Sequence, residues 1–215
     1  MRLVIAMTAL SVLVSATACV ARAQAPKPTT YVAIGASDAV GVGATDPETE
    51  GWVPRFAAHL GPNARVVNLG VSGSTLAQAV EEQLGPAVDA QPDVVTVWLA
   101  VNDLNSRAPL DGYAADLDTL LGQLETTHAR VLVGNVPDLS RLAVYRGIDA
   151  RALLAEVDRW NAVIADTAAR HGATLVDLHA HWREAVDHPE YLSADGFHPS
   201  SEGYQALAEL FAGAL

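Results

Sequence analysis

From residue 31 onward, short apolar runs alternate with longer stretches in which apolar residues recur every three or four positions. The short runs are Tyr31–Gly35, Ala64–Leu69, Val94–Ala100, Arg130–Asn135 and Thr174–Leu178. The first of them, apolar and partly β-branched, reads as a buried strand. The longer stretches are Trp52–Leu60, Thr75–Leu84, Asp111–His128, Asp149–His171 and Ser201–Leu215, with a shorter one over His179–Val186. Their spacing is helical. Strands alternating with helices of that length predict parallel strands joined by crossover helices. Right-handed crossovers then put helices on both faces of one sheet. The expected fold is a three-layer α/β/α sandwich on a five-stranded parallel sheet in flavodoxin-like order. In open sheets of this kind, ligands bind beyond the carboxyl ends of the strands.

The segment before the first strand differs in character. Residues 1–23 combine Arg2, the apolar run Leu3–Val14 and the small-residue stretch ending Ala21-Arg22-Ala23. This is the layout of a secretory signal peptide, too short and too soon broken for a transmembrane span. Residues 24–30, with Pro26 and Pro28, read as a linker. Residues 31–215 then form a single domain, expected to be monomeric and located outside the cytoplasm, in the cell envelope or secreted. Cys19 is the only cysteine. Ala16-Thr17-Ala18-Cys19 partly matches a lipoprotein box, though Ala16 stands where leucine is usual. A lipid anchor at Cys19 is therefore the alternative to cleavage after Ala23. A lone cysteine excludes an intrachain disulfide.

The net charge of −12 argues against nucleic acid as a partner, because that binding needs a basic footprint. No basic amphipathic helix suggests attachment to a membrane surface.

Three turns fall where the predicted sheet should bind ligands. Gly35-Ala36-Ser37 follows the first strand, Gly70-Val71-Ser72-Gly73-Ser74 the second, and Asn102-Asp103 the third. A serine hydroxyl is a weak nucleophile and needs a base, itself oriented by a third group. Asp195-Gly196-Phe197-His198-Pro199-Ser200 supplies an aspartate and a histidine three residues apart. Pro199 keeps His198 out of helical dihedrals, and Ser200 can cap the final helix. Acyl transfer also needs donors for a developing oxyanion. The candidates are the N–H groups of Ser37 and Gly73 and the side-chain amide of Asn102.

The segments Gly35-Ala36-Ser37, Asn68-Leu69-Gly70-Val71-Ser72-Gly73, Ala100-Val101-Asn102-Asp103 and Asp195-Gly196-Phe197-His198-Pro199 resemble, in order, the sequence blocks of SGNH, or GDSL-like, hydrolases. The resemblance runs from Tyr31 to the end of the chain. It implies a serine esterase or lipase with Ser37 as nucleophile, His198 and Asp195 completing a triad, and Gly73 and Asn102 as oxyanion donors beside the Ser37 N–H. It also implies a small-molecule, glycan or lipid ester as substrate and no cofactor or metal. Two positions depart from the family pattern: Ala36 replaces its aspartate and Ala100 its glycine.

Other readings fit less well. The nucleophile elbow of the α/β-hydrolase fold normally follows several strands, whereas Ser37 follows the first. A non-catalytic nucleotide- or carbohydrate-binding module is suggested only by Gly41-x-Gly43, which lacks the third glycine and the lysine of a phosphate loop. His179 and His181 have no partner at ligand spacing and read as polar cover of a helix start. His59, His128, His171 and His188 read as solvated or capping residues. Trp52, Trp98, Trp160 and Trp182 read as packing residues. The loops Leu104–Leu110 and Val136–Ile148 are expected to wall the pocket, with Arg107, Arg141, Tyr145 and Arg146 as candidates to touch a ligand, though each reads more simply as a solvated loop side chain.

Overall fold

The computed structural model describes residues 27–185 and 188–215, with no side-chain description for 182–185. The proposed signal peptide, Cys19, residues 24–26 of the linker and Val186 lie outside the described residues, as does the packing of Trp182. Five strands, β1 (Thr30–Gly35), β2 (Arg65–Asn68), β3 (Val94–Trp98), β4 (Arg130–Gly134) and β5 (Thr174–Val176), form one sheet in the order β2-β1-β3-β4-β5. Every pairing is parallel, as the alternation of elements predicted.

Ten α-helices occur among the described residues: α1 (Ser37–Val40), α2 (Pro47–Glu50), α3 (Trp52–His59), α4 (Leu76–Glu82), α5 (Leu84–Asp89), α6 (Val101–Ser106), α7 (Leu110–Glu125), α8 (Ala150–Arg170), α9 (Leu178–Ala185) and α10 (Ser201–Ala212). The two-residue alternation along β1 and β3 divides the core into two layers. Val32, Ile34, Val95 and Val97 face α4, α5, α7 and α8, whereas Tyr31, Ala33, Val94 and Trp98 face α3 and α10. The second layer is aromatic. Trp52 stacks on Phe211 with ring centroids 4.6 Å apart, and Tyr31 lies 4.8 Å from Phe56. Each fully buried ring contributes about 1.5–3 kcal/mol through removal from water. The one hydroxyl pair in that layer, Tyr31 Oη and Thr96 Oγ1, is satisfied at 2.8 Å.

Helix α8 shows how pattern sets packing. Asp149 caps it by accepting from Ala152 N–H at 2.8 Å. Leu153, Val157, Trp160, Ile164 and Ala168 then form a stripe three or four residues apart and bury against the sheet layer.

Several predicted boundaries need correction. The stretch Thr75–Leu84 is not one helix: α4 ends at Glu82 and α5 begins at Leu84. The break falls at Gln83, whose side chain turns inward to hydrogen-bond β1. Strand β3 ends at Trp98 and not at Ala100, because Ala100 has φ +150°. Leu178 opens α9 and does not end β5, and Thr30 of the proposed linker belongs to β1. The expected loop from Leu104 is largely helical, and Tyr145 is buried with its hydroxyl donating to Asn105 Oδ1 at 2.8 Å. His171, read as solvated or capping, is the C-cap of α8, and its ring sits between two carboxylates, 2.7 Å from Glu125 and 3.0 Å from Asp118.

Candidate active site

Ser37 is the first residue of α1, directly beyond the carboxyl end of β1. As a first-turn residue it has an N–H with no intrahelical acceptor. Helix α1 stops after one turn at Gly41, in the left-handed conformation at φ +89°. The chain then runs through Val42 and Gly43 toward the C-terminal part of the molecule. Tyr204 of α10 donates to Val42 O at 2.6 Å, and Thr45 N–H donates to Ser201 Oγ at 3.0 Å. These two bonds fasten the segment after Ser37 to the helix that follows His198.

Gly43 makes the contact possible. It has φ +100°, and a Cβ there would overlap the Pro199 carbonyl oxygen and lie 3.1 Å from His198 Cβ. The backbone of one loop thus rests directly on the backbone of the other.

The loop before α10 is organised by Asp195. Its Oδ1 accepts from Phe197 N–H at 2.8 Å, His198 N–H at 2.9 Å and Ser193 Oγ at 2.8 Å. Its Oδ2 lies 2.6 Å from His198 Nδ1, and His198 Nε2 lies 3.0 Å from Ser37 Oγ. Partial burial opposes ionisation of Asp195, but the hydrogen bonds from His198, Phe197 and Ser193 outweigh it and hold the carboxyl well below the usual range. An ionised Asp195 fixes the neutral imidazole with its proton on Nδ1. Nε2 is then the acceptor facing the serine hydroxyl. Ser37 and His198, 161 residues apart in the chain, are brought within hydrogen-bond distance.

The turn after β2 is tied to the same rim by three side chains. Gln83, only 2 % exposed, accepts from Gly35 N–H and donates to Gly35 O, both at 3.0 Å, and reaches Ser74 Oγ at 3.2 Å. Asn102 Nδ2 donates to Ser74 O at 2.9 Å, which leaves its second N–H for a ligand. Both Asp103 carboxylate oxygens accept from Leu76 N–H at 3.1 Å, and burial pushes the Asp103 carboxyl up to about 6. Gly73 lies within this braced turn at φ +83°, with open space where a side chain would be. Glycine is required there by the dihedral, and its N–H is also approachable. All five residues singled out in the sequence therefore lie on segments linked by hydrogen bonds around one end of the sheet.

Sequence reasoning did not single out Gln83, Asp38 or the bracing role of Asp103. A lone glutamine at a helix junction has no pattern that distinguishes an inward from an outward side chain. Ser37 and Asn102 line a pocket of about 20 Å³ together with Asp38, Trp98, Val101 and Phe197, and these last four also line an adjoining slot of about 30 Å³ whose other walls include Leu139 and Leu178. Trp98 packs in the core, as expected, and donates from its indole to Asn135 O at 3.2 Å while one edge borders the slot.

Residues 33–206 match the model of the GDSL-like Lipase/Acylhydrolase family. Over 159 residues the chain is 26% identical to an acetylxylan esterase of Geobacillus stearothermophilus, covering 68% of this chain and 70% of that protein. Among solved structures, it is similar to an α/β hydrolase enzyme from the metagenome of Lake Arreo, Spain, at TM-score 0.71 and 24% identity. That likeness covers 86% of this chain and 94% of the other. The lipase/acylhydrolase of Enterococcus faecalis is similar at TM-score 0.68 and 21% identity, again over 86% and 94% of the two chains. Both likenesses concern the fold.

Proposed function

The chain belongs to the GDSL-like lipase/acylhydrolase family, and from that premise we propose that it is an exported serine esterase acting on carboxylic esters with a short acyl group. Ser37 is the nucleophile, His198 the general base and acid, and Asp195 the group that orients the imidazole. In the first half-reaction His198 Nε2 takes the Ser37 proton as Oγ attacks the ester carbonyl. The carbonyl π electrons move onto oxygen, giving a tetrahedral oxyanion held by the N–H groups of Ser37 and Gly73 and the Asn102 amide. Each such donor lowers the barrier by about 3 kcal/mol. Collapse breaks the bond to the alcohol, which leaves with the proton from His198. Water then attacks the acyl-enzyme, assisted by the same imidazole, and releases the acid and Ser37.

The observation that carries the reading is the continuous chain Asp195 Oδ2, His198, Ser37 Oγ, with separations of 2.6 and 3.0 Å. The small pocket lined by Ser37 and the narrow slot that adjoins it support a short acyl group. The relative's name, acetylxylan esterase, supports acetyl groups carried on a carbohydrate. Export rests on the signal-like pattern of residues 1–23. No helix among the described residues is long and apolar enough to cross a membrane.

The test is hydrolysis of 4-nitrophenyl acetate and of acetylated xylo-oligosaccharides by the wild type and by Ser37→Ala. The proposal expects turnover by the wild type and a loss of about 10⁴-fold or more in a Ser37→Ala protein with unchanged circular dichroism. Comparable turnover by the two proteins contradicts it.

A further inference from the structure

Asp38 follows the nucleophile directly, and the mechanism above does not use it. It is the one ionisable residue lining the slot, whose other walls include Trp98, Val101, Leu142, Leu178 and Phe197, and it also lines the adjoining pocket that holds Ser37 and Asn102. Among the described residues, no side chain donates a hydrogen bond to its carboxylate. A partly buried carboxylate on an apolar wall, with no side-chain donor, is open to a donor that a ligand brings. Burial pushes this carboxyl up to about 6, which records the same shortage of solvation.

We propose that Asp38 is a specificity-determining residue, selecting short acyl groups that carry a hydroxyl able to donate to its carboxylate. The slot suits the acyl part and not the alcohol. It is narrow and backed by core side chains such as Leu178 and Leu207, so a group lodged there stays through both half-reactions, whereas the alcohol must depart between them. A hydroxyl fits better than an ammonium group for an electrostatic reason. His198 is near enough to interact with Asp38 by charge, and it becomes an imidazolium as Ser37 attacks. A cationic acyl group would meet that positive charge, while a neutral hydroxyl would not. The other titratable groups that sense Asp38 are Asp195 and Tyr204, and neither supplies a donor to it.

This rests on the esterase reading, and the test separates the two. The kcat/KM values of 4-nitrophenyl butyrate and 4-nitrophenyl 3-hydroxybutyrate are measured for the wild type, Asp38→Leu and Asp38→Asn. The ratio of the two esters on one protein cancels any effect of the substitution on the triad. The wild type should favour the hydroxyacyl ester. Asp38→Leu should lower that preference about tenfold or more, the size expected when a hydrogen bond to a charged acceptor is lost. Asp38→Asn keeps an acceptor without the charge and should fall between, and it carries the test alone if Asp38→Leu does not fold. Ratios unchanged in both variants, with both esters turned over, overturn the role of Asp38. Turnover of neither ester by folded wild type overturns the esterase reading itself.

Discussion

Replacing Gly43 by alanine perturbs the join between the two loops that carry Ser37 and His198, without touching a reacting group. Two effects combine. The backbone at φ +100° is unfavourable for any residue with a Cβ, at a cost of about 1–2 kcal/mol. The new methyl would also overlap the Pro199 carbonyl oxygen and press on Ser193 Cβ at 3.0 Å and His198 Cβ at 3.1 Å. Relieving that overlap moves the His198 loop by about 1 Å, since carbon and oxygen sit near 3.5 Å at rest. Overpacking of this kind costs a further ~1–3 kcal/mol of stability. The displacement stretches the 3.0 Å contact between His198 Nε2 and Ser37 Oγ. A misplacement of about 1 Å at the reacting groups lowers kcat/KM by about 100-fold. Gly61 provides the control. It has φ +106°, yet nothing lies within 4 Å of the position its Cβ would take. Gly61→Ala should therefore show the dihedral cost alone in urea unfolding and retain ester hydrolysis, while Gly43→Ala should lose more stability and about 100-fold of its ester hydrolysis. If the two variants hydrolyse 4-nitrophenyl acetate within twofold of each other, the loops do not bear on each other as described.

Two further substitutions probe the supports of the site. Gln83→Leu leaves the buried N–H of Gly35 without its side-chain partner, while Gly35 O keeps its bond from Val71 N–H, and should cost about 1–3 kcal/mol in urea unfolding. An unchanged urea midpoint would show that the glutamine contributes nothing. Asp103, raised to about 6 by burial, binds its proton more tightly folded than unfolded, where carboxyls titrate near pH ~4. Its contribution is thus fully present below that value and is lost as pH rises through about 6. Asp103→Asn should flatten the fall in stability between those limits relative to the wild type; parallel curves for the two proteins would refute the shift.

The layered fold was legible because strands buried on both faces leave a strong apolar signal, as in Tyr31–Gly35 and Val94–Trp98. The ends of elements were less legible. Leu99 and Ala100 are as buried as the strand before them, so hydrophobicity cannot mark the turn that the Ala100 dihedral makes. That dihedral is one that residues with a Cβ rarely adopt. The pair Asp195 and His198 could be read from spacing, because three residues and a glycine at φ +68° suffice to fold one onto the other. Their approach to Ser37 depends on which strand ends share an edge, which only the topology supplies. Gln83 and Asp38 were not legible. Each works through the direction of one side chain at the end or beginning of a short helix, and no periodicity encodes that direction.

The most direct test of the central claim is intact-mass and peptide analysis after exposure to an aryl-free fluorophosphonate. One adduct per chain, on the peptide that contains Ser37, is predicted, with no adduct in Ser37→Ala and greatly slowed labelling in His198→Ala. Folded wild-type protein that hydrolyses esters yet carries the adduct on another residue, or none at all, would contradict it.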